Sequence, residues 1–191
     1  MNKAVFLDRD GTINEEMGYI NHISRFKIFD YFFPALKILK DLGYKVIIIT
    51  NQSGIARGYF SESLVKEIHS SLKLEAQNKG TEIDGIYYCP HHKDGIIEKY
   101  SIECTCRKPK PGLILKAKQE HDINFSESFM IGDRYKDMEF AFKNGLKTIM
   151  VMTGYGIGEY TYQKNTWPQL PDYICENILQ AAETISNLKL R

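Results

Sequence analysis

The sequence has no excess of charge of either sign and no long hydrophobic run. Its 25 basic and 24 acidic residues give a net charge of +1, so there is no electrostatic reason to expect a nucleic acid or an anionic membrane as partner. The apolar run that begins at Ala4 stops after four residues. That is too short for a signal peptide, and no later segment approaches the length of a membrane span. We therefore expect a cytoplasmic protein that holds any anionic ligand in a local site.

The sequence also has few cysteines, and they are not spaced like a disulfide framework. Cys89, Cys104 and Cys106 lie close together, whereas Cys175 stands alone. In a reducing compartment such a cluster is typical of a metal site, and an isolated cysteine is typical of a small buried hydrophobic residue.

The chain has the length and composition of one folded domain. Its 191 residues are 43% hydrophobic and 26% charged, which predicts a single domain over 1–191 with a sizeable core and an inserted loop at about 89–108. Short β-branched runs alternate with helical stretches, a pattern typical of an α/β parallel sheet. The predicted strands span 3–7, 45–50, 84–88, 129–131, 147–152 and 173–175. The predicted helices span 34–42, 61–78, 112–120, 136–144 and 176–188, with an irregular surface connection at 154–171.

Short polar side chains follow three of the predicted strands. Asp8 and Asp10 come after the first strand, Thr50 and Asn51 after the second, and Asp133 after the fourth. Because ligands of open α/β sheets bind beyond the carboxyl ends of the strands, we expect these side chains to meet at one edge. Carboxylates that close repel each other unless a cation offsets the repulsion, and oxygen ligands favour Mg2+ over zinc. The alternative is a set of unrelated turn aspartates.

The cysteine cluster includes a histidine. Cys89-Pro-His91 is followed, after twelve residues, by Cys104-Thr-Cys106. Three thiolates and one imidazole make a closed tetrahedral zinc set, which is typical of a structural site. His92 is the competing ligand, but Cys-x-His mirrors the Cys-x-Cys at the other end, so we prefer His91. The alternative is a group of free thiols near a surface loop.

Two basic residues directly follow the last cysteine of this loop. A site that binds Mg2+ and phosphate needs a further positive group, and Lys108 is the candidate. Because Cys106 immediately precedes Arg107 and Lys108, zinc would position both side chains without taking part in chemistry. Asp137 is expected to lie behind Asp133.

Four motifs of the chain resemble those of the haloacid dehalogenase superfamily. They are FLDRDGT at 6–12, a hydrophobic residue before Thr50-Asn51, Lys108-Pro109, and Gly132-Asp133-x-x-x-Asp137, and they occur in that superfamily's order. The resemblance implies a Rossmann-like parallel sheet with helices on both faces and essentially no cap domain. It also implies a phosphatase, because the second Asp of the first motif suits a proton donor that dehalogenases do not need.

The resemblance also implies a role for each motif residue. Asp8 would attack phosphorus and form an aspartyl phosphate, and Asp10 would protonate the leaving oxygen and then activate water. Thr50 and Lys108 would hold the phosphoryl oxygens. The implied Mg2+ ligands are Asp8, Asp133 and the main-chain carbonyl of Asp10, with Asp137 in a supporting position.

Within the superfamily, the zinc loop and the missing cap resemble the D-glycero-D-manno-heptose 1,7-bisphosphate phosphatases and their relatives, the histidinol phosphatases. The segment TNQSGIARG at 50–58, the loop EMGY at 16–19 and the longer zinc loop favour the heptose branch. One departure is Glu16, where an Asp is common. This resemblance implies removal of the C7 phosphate during synthesis of nucleotide-activated heptose for lipopolysaccharide or another surface polysaccharide.

A sugar bisphosphate needs a cationic anchor at each end. Arg107 and Arg134 offer planar forks for the distant phosphate or for sugar hydroxyls, and the alternative for either is an ordinary surface residue. The other residues expected to contact substrate are Glu16, Met17, Gly18, Tyr19, Asn51, Gln52 and Ser53. We expect a monomer that binds this small molecule and neither nucleic acid nor membrane.

Other activities stay open. A histidinol phosphatase would perform the same chemistry on an amine-bearing monophosphate, but its substrate favours an acidic pocket rather than arginines. An uncapped site also fits a broader sugar-phosphate phosphatase. A zinc-ordered binding module without turnover would have lost some of Asp8, Asp10, Lys108 and Asp133, and all four are present.

Overall fold

The computed structural model describes residues 1–189, which form a six-stranded parallel sheet with helices on both faces. The strands are β1 (Ala4–Leu7), β2 (Lys45–Asn51), β3 (Gly85–Cys89), β4 (Phe129–Gly132), β5 (Lys147–Val151) and β6 (Tyr173–Cys175). No strand end differs from its predicted position by more than one residue. The predicted parallel α/β fold is confirmed.

The helices are α1 (Phe32–Asp41), α2 (Glu62–Asn78), α3 (Gly112–His121), α4 (Tyr135–Asn144), α5 (Gly156–Gln163) and α6 (Ile178–Lys189). Local signals set several of their ends: the Ser61 hydroxyl accepts the Leu64 N–H and so caps α2, and Gly145, with φ of 72°, ends α4. Short 3-10 helices occupy Ile23–Arg25, Glu98–Tyr100, Phe125–Glu127 and Lys164–Thr166. Within residues 1–189, no helix combines the length and apolar character that crossing a membrane requires.

The prediction of an irregular connection at 154–171 is wrong in its first part, which forms α5 and the 3-10 helix that follows it. The helix contains Gly156 and Gly158, and glycine is a poor helix former, so the sequence pattern hides it. Gly156 is nevertheless required by packing, because a Cβ there would overlap the carbonyl oxygen of Val151 at the end of β5. The formation of α5 therefore depends on its packing against β5 rather than on local helix propensity.

Each face of the sheet has its own hydrophobic core. Alternate residues of a strand point to opposite faces, so Val5 and Leu7 pack with α1 and α6, while Ala4 and Phe6 pack with α3 and α4. Because helices cover both faces, the strands β1, β2, β4 and β5 are buried along most of their length rather than at alternate residues.

The order of the strands, β3-β2-β1-β4-β5-β6, puts β1 and β4 side by side at the middle of the sheet. The chain runs from β1 to one side of the sheet and returns to the other side at β4. Such a reversal opens a crevice beyond the carboxyl ends of the two strands. Asp8 directly follows β1 and Asp133 directly follows β4, so the fold brings both to this crevice.

Candidate active site

A cavity opens at this crevice. Its lining comes from the segments that follow β1, β2 and β4, from the loop that precedes α3, and from the residue before α5. Segments distant in sequence therefore contribute to one concave site.

Lys108 is a buried cation between two carboxylates of the cavity. Its Nζ lies 2.8 Å from Asp8 Oδ1 and 2.6 Å from Asp137 Oδ1, and its side chain is 3% exposed. Burial alone would lower the pKa of Lys108, but the charges of Asp137 and Asp8 outweigh it and raise the pKa above its usual value. The ammonium group therefore stays charged beside Asp8.

Asp8, Asp133 and Asp137 form a carboxylate cluster whose ligand atoms lie within 4.8 Å of one another. Burial, together with the charges of Asp8 and Asp137, raises the pKa of Asp133 to about 9. Burial also raises the pKa of Asp8 to about 6, although Lys108 opposes the shift. Asp133 Oδ1 and Asp137 Oδ2 are buried and have no hydrogen-bond partner among residues 1–189. A divalent cation would relieve both the repulsion and the unpaired oxygens, so this cluster fits a hard metal ion.

The backbone packs closely around Asp133. A Cβ at Gly11 or at Gly154 would overlap Asp133 Oδ2, so both positions require glycine. Tyr155 N–H donates to the same oxygen at 2.9 Å. The loop after β1 and the turn after β5 thus enclose this carboxylate from two sides.

Asp10 is held in a fixed orientation by donors on several sides. Arg9 Nη2 lies 2.8 Å from Asp10 Oδ2, while Asn14 Nδ2 and Gln52 Nε2 donate to Asp10 at 3.0 and 2.9 Å. Arg9 is itself buried; it also donates to Gln52 Oε1 at 3.0 Å and lies 3.2 Å from His69 Nε2. Burial favours the neutral form of Asp10, but Arg9 and the amide donors prevail and lower its pKa. Asp10 is therefore ionised at neutral pH.

Two side chains at the carboxyl end of β2, on Asn51 and Gln52, connect the parts of the site. Asn51 Oδ1 accepts the Lys108 N–H at 3.0 Å, and Asn51 Nδ2 donates to the Lys108 carbonyl at 3.2 Å. Gln52 Nε2 donates to the buried Thr50 hydroxyl at 2.9 Å as well as to Asp10. Asn51 thus fastens the Lys108 loop to β2, and Gln52 joins Thr50 to Asp10.

A second candidate metal site lies in the loop between β3 and α3. Its four members are Cys89, His91, Cys104 and Cys106, whose ligand atoms lie within 4.8 Å of one another. Cys106 Sγ is 3.1 Å from Cys89 Sγ and 3.3 Å from His91 Nδ1, separations that fit four ligands around one ion. His92 points elsewhere and contacts Arg57 at 3.1 Å. The structure thus brings His91, and not His92, into the cluster.

Besides the buried Arg9, two further arginines line the cavity near the catalytic candidates. Arg107 Nη1 donates to the His91 carbonyl at 3.4 Å, and Arg134 Nε donates to Glu159 Oε1 at 2.9 Å. The Arg134 side chain is 43% exposed, unlike the buried Lys108. The cavity therefore contains a buried lysine with carboxylates and, in addition to Arg9 that is paired with Asp10, the guanidinium groups of Arg107 and Arg134.

Comparisons with known proteins agree with this arrangement. A model of the HAD-hydrolase-like family matches residues 105–181. A D-glycero-beta-D-manno-heptose-1,7-bisphosphate 7-phosphatase of Pasteurella multocida is 42% identical over 190 residues, covering 99% of this chain and 100% of that protein. The protein of the same name from Photorhabdus laumondii is 46% identical over 153 residues, 79% of this chain and 81% of that protein. The chain belongs to this phosphatase family.

A solved structure from the heptose-bisphosphate phosphatase family is similar over nearly the whole chain. It is the crystal structure of a D,D-heptose 1,7-bisphosphate phosphatase from B. bronchiseptica, complexed with magnesium and phosphate. The two chains are 27% identical with a TM-score of 0.84, and the match covers 97% of this chain and 99% of that one. The predicted membership of the haloacid dehalogenase superfamily is confirmed.

Most of the predicted site residues of this phosphatase family member meet at the cavity. Those that line it are Asp8, Asp10, Glu16, Gly18, Tyr19, Thr50, Asn51, Gln52, Ser53, Arg107, Lys108, Arg134 and Asp137. Asp133 is fully buried behind this lining. Met17 instead borders a neighbouring shallow groove with Tyr59, because the chain turns at Gly18, where φ is 72°.

Sequence reasoning missed the buried network around Asp10. A charged residue between two aspartates is normally expected in solvent, yet Arg9 is 1% exposed. If the alternation of β1 continues past Leu7, Arg9 points to the same side of the chain as the buried Leu7. The sequence therefore contains a signal that Arg9 is buried. His69, to which no role was assigned, lies on the buried side of α2, where the helical spacing of the apolar residues would have placed it.

Proposed function

We propose that this protein removes the C7 phosphate of D-glycero-β-D-manno-heptose 1,7-bisphosphate through an aspartyl phosphate on Asp8. The observation that carries the proposal is the position of Asp8. Its side chain is 14% exposed at the cavity, and its Oδ1 lies 2.8 Å from Lys108 Nζ. The substrate is supported by the name of the Pasteurella multocida relative, which matches along its whole length.

The first half of the reaction transfers the phosphoryl group to the protein. Asp8 attacks the C7 phosphorus, a bond between its carboxylate oxygen and phosphorus forms, and the bond from phosphorus to the sugar oxygen breaks. Lys108 and the Thr50 hydroxyl bind the phosphoryl oxygens and compensate their charge. Asp10 donates a proton to the departing sugar oxygen.

The low pKa of Asp10 in the free protein is compatible with this acid role. Arg9 keeps the carboxylate ionised while the cavity holds no phosphate. A phosphate dianion nearby is a like charge, which raises the pKa of Asp10 and favours its protonated form. Substrate binding therefore brings Asp10 into the state that protonates the leaving group.

The second half of the reaction regenerates Asp8. Water attacks phosphorus, Asp10 accepts the proton from that water, and the bond between phosphorus and the Asp8 oxygen breaks. Inorganic phosphate then leaves. Because Arg9, Asn14 and Gln52 fix the orientation of Asp10, one carboxylate serves both halves without moving.

We assign the carboxylate cluster to Mg2+, with Asp8, Asp133 and the main-chain carbonyl of Asp10 as ligands. The all-oxygen donor set and the unpaired Asp133 Oδ1 support this choice. Asp137 supports the site through its contact with Lys108 at 2.6 Å. When bound, Mg2+ acts as a Lewis acid on the phosphoryl oxygens. The B. bronchiseptica enzyme, complexed with magnesium and phosphate, supports the assignment.

We assign the cluster of Cys89, His91, Cys104 and Cys106 to a structural Zn2+. Four protein ligands leave no position for a reactive water. The loop that this ion would order leads directly into Arg107 and Lys108, and Asn51 fastens its end to β2. Zinc would therefore fix the position of the phosphate-binding lysine while remaining outside the reaction.

Arg107 and Arg134 are proposed to bind the phosphate that is retained at C1, and the loop at 16–19 with Ser53 is proposed to contact the sugar. Asn51 and Gln52 act through Lys108 and Asp10, because their amide groups already have partners within the protein. Two arginines in the cavity disfavour an ammonium-bearing substrate such as histidinol phosphate.

The biological setting follows from the substrate. The product would supply nucleotide-activated heptose for lipopolysaccharide or another surface polysaccharide. The cytoplasmic location, the monomeric state and the single domain with its zinc loop stay predictions.

Phosphate release tests the proposed function. Wild type, Asp8→Asn and, as a matched control, the exposed Asp41→Asn are assayed with Mg2+ on D-glycero-β-D-manno-heptose 1,7-bisphosphate and on histidinol phosphate. We expect fast release from the bisphosphate by wild type and Asp41→Asn, none by Asp8→Asn, and little from histidinol phosphate. A reversed substrate preference, or no release from either compound by protein that contains metal, would refute the substrate assignment.

A further inference from the structure

Arg134 is held by one short segment of the chain. Glu159 in α5 accepts its Nε–H at 2.9 Å and is itself 11% exposed. The guanidinium carbon lies 4.4 Å from the centre of the Tyr155 ring, a cation–π contact. The guanidinium group of Arg134 is therefore held at one edge by Glu159 and on one face by Tyr155.

The remaining edge of Arg134 is available to a ligand. In the part of the chain that the structure describes, neither of its terminal nitrogens has a hydrogen-bond acceptor. Arg134 also lines the cavity. A guanidinium group with two free terminal nitrogens can bind a phosphate with parallel hydrogen bonds.

The segment that holds Arg134 also holds the residues on either side of it, Asp133 and Tyr135. Tyr155 N–H donates to Asp133 Oδ2 at 2.9 Å, and the other Glu159 oxygen accepts the Tyr135 N–H at 2.7 Å. The segment itself is fixed at Gly156, where only glycine fits against Val151. The turn after β5 and the start of α5 thus position two consecutive residues, one in the carboxylate cluster and one at the more exposed part of the cavity.

We infer that Glu159 and the Tyr155 ring are positioning residues that set Arg134 at a fixed distance from the carboxylate cluster, as the receptor for the retained phosphate of a bisphosphate. The inference rests on the proposed function and deepens it. A bisphosphate would span the two sites, whereas a monophosphate would use only one. Glu159 thereby contributes to substrate selection without contacting the substrate.

The test compares a bisphosphate with the same sugar lacking the retained phosphate. Initial rates are measured on D-glycero-β-D-manno-heptose 1,7-bisphosphate and on D-glycero-D-manno-heptose 7-phosphate. In Glu159→Gln a neutral amide with one acceptor oxygen replaces a carboxylate that accepts from two donors, so Arg134 loses its charged partner. We expect KM for the bisphosphate to rise about tenfold with kcat unchanged, the size of one charged hydrogen bond, and kcat/KM for the 7-phosphate to stay as in wild type.

Further variants separate positioning from folding. Tyr155→Leu is expected to raise KM for the bisphosphate, and Tyr155→Phe, which keeps the ring, to restore it. Arg134→Ala combined with Glu159→Gln is expected to lose no more than Arg134→Ala alone. Glu82→Gln, which breaks an exposed ion pair with Lys40, serves as the control with wild-type kinetics.

Each other outcome overturns the inference. Equal losses on both substrates would assign Glu159 a structural role, and additive losses with Arg134→Ala would show that the two residues act separately. Unchanged bisphosphate kinetics in Glu159→Gln would remove Glu159 from substrate selection while leaving the proposed function intact. A wild-type protein without preference for the bisphosphate would refute the substrate itself, which is seen before any variant is made.

Discussion

Replacing Asp133 by Asn should make the metal-free protein more stable while abolishing its activity. A carboxyl group whose pKa is raised by folding favours the protonated folded state, so the folded state loses stability as pH rises above the unfolded value. For Asp133 that loss begins near 3.8, the ordinary pKa of an aspartic acid, and continues to about pH 9. Asn has nearly the same shape, carries no charge, and keeps an acceptor for the Tyr155 N–H.

The size of this loss in the free energy of unfolding follows from the difference between the unfolded pKa of Asp133 and the assay pH. Between the unfolded pKa and an assay pH of about 7.5 the loss reaches at most ~5 kcal/mol, at 1.36 kcal/mol per unit. We expect Asp133→Asn to recover ~2 kcal/mol, because the repulsion between Asp8 and Asp137 remains. For a chain of this length that raises the melting temperature by roughly 4–8 °C.

Thermal unfolding in buffer with and without Mg2+ measures this effect. Wild type should gain stability when Mg2+ is added, because the ion binds only the folded state, whereas Asp133→Asn should gain little. Asp41→Asn, at an exposed position of α1, should unfold like wild type in both buffers. An Asp133→Asn protein that melts at or below the wild-type temperature without Mg2+, or that responds to Mg2+ as wild type does, would refute the reasoning.

Three further predictions concern single side chains. His91→Ala should lose zinc as measured by atomic absorption and His92→Ala should retain it, since only His91 joins the cysteine cluster; equal zinc content in both would contradict the assignment. Asp10→Asn should lower kcat by about 10²–10⁴-fold, the usual contribution of a general acid–base group, and steady-state rates near wild type would exclude that role. Lys108→Met should lower kcat/KM by at least about 10²-fold, because it removes the buried charge beside Asp8; a smaller loss, with the variant still folded by circular dichroism, would contradict it.

The parallel sheet and the meeting of the carboxylates could be predicted because each depends on local pattern. Continuous apolar runs predict strands that are buried on both faces, and residues that follow parallel strands must lie at one edge. Asp8 and Asp133 therefore come together whatever the details of the loops. The cysteine cluster could be predicted for a similar reason, since its spacing is short and its chemistry is specific.

The hydrogen-bond partners of the site could not be predicted, because they depend on distances between segments far apart in the chain. Arg9 and His69 come together only once α2 packs over the start of the site. Asn51 and Gln52 line the cavity as the sequence predicts, and the bonds of their amides to Lys108 and Asp10 appear only in the folded structure. Helix α5 was hidden because close packing against β5, rather than helix propensity, determines the glycine at its start, Gly156.

The site contains two pairs of sequence neighbours, Arg107 with Lys108 and Asp133 with Arg134. In each pair one member belongs to the reacting centre, Lys108 as the partner of the phosphoryl oxygens and Asp133 as a metal ligand, and the other is proposed to bind the phosphate that stays. The two members of a pair are adjacent in sequence. An insertion or deletion therefore cannot change the distance between the reacting centre and the retained-phosphate site within a pair without displacing a catalytic residue. In evolution, a change of substrate length is therefore expected in the segment between β1 and α1 or in the turn before α5. Descendants of this protein should thus diverge there in sequence while both pairs are inherited intact.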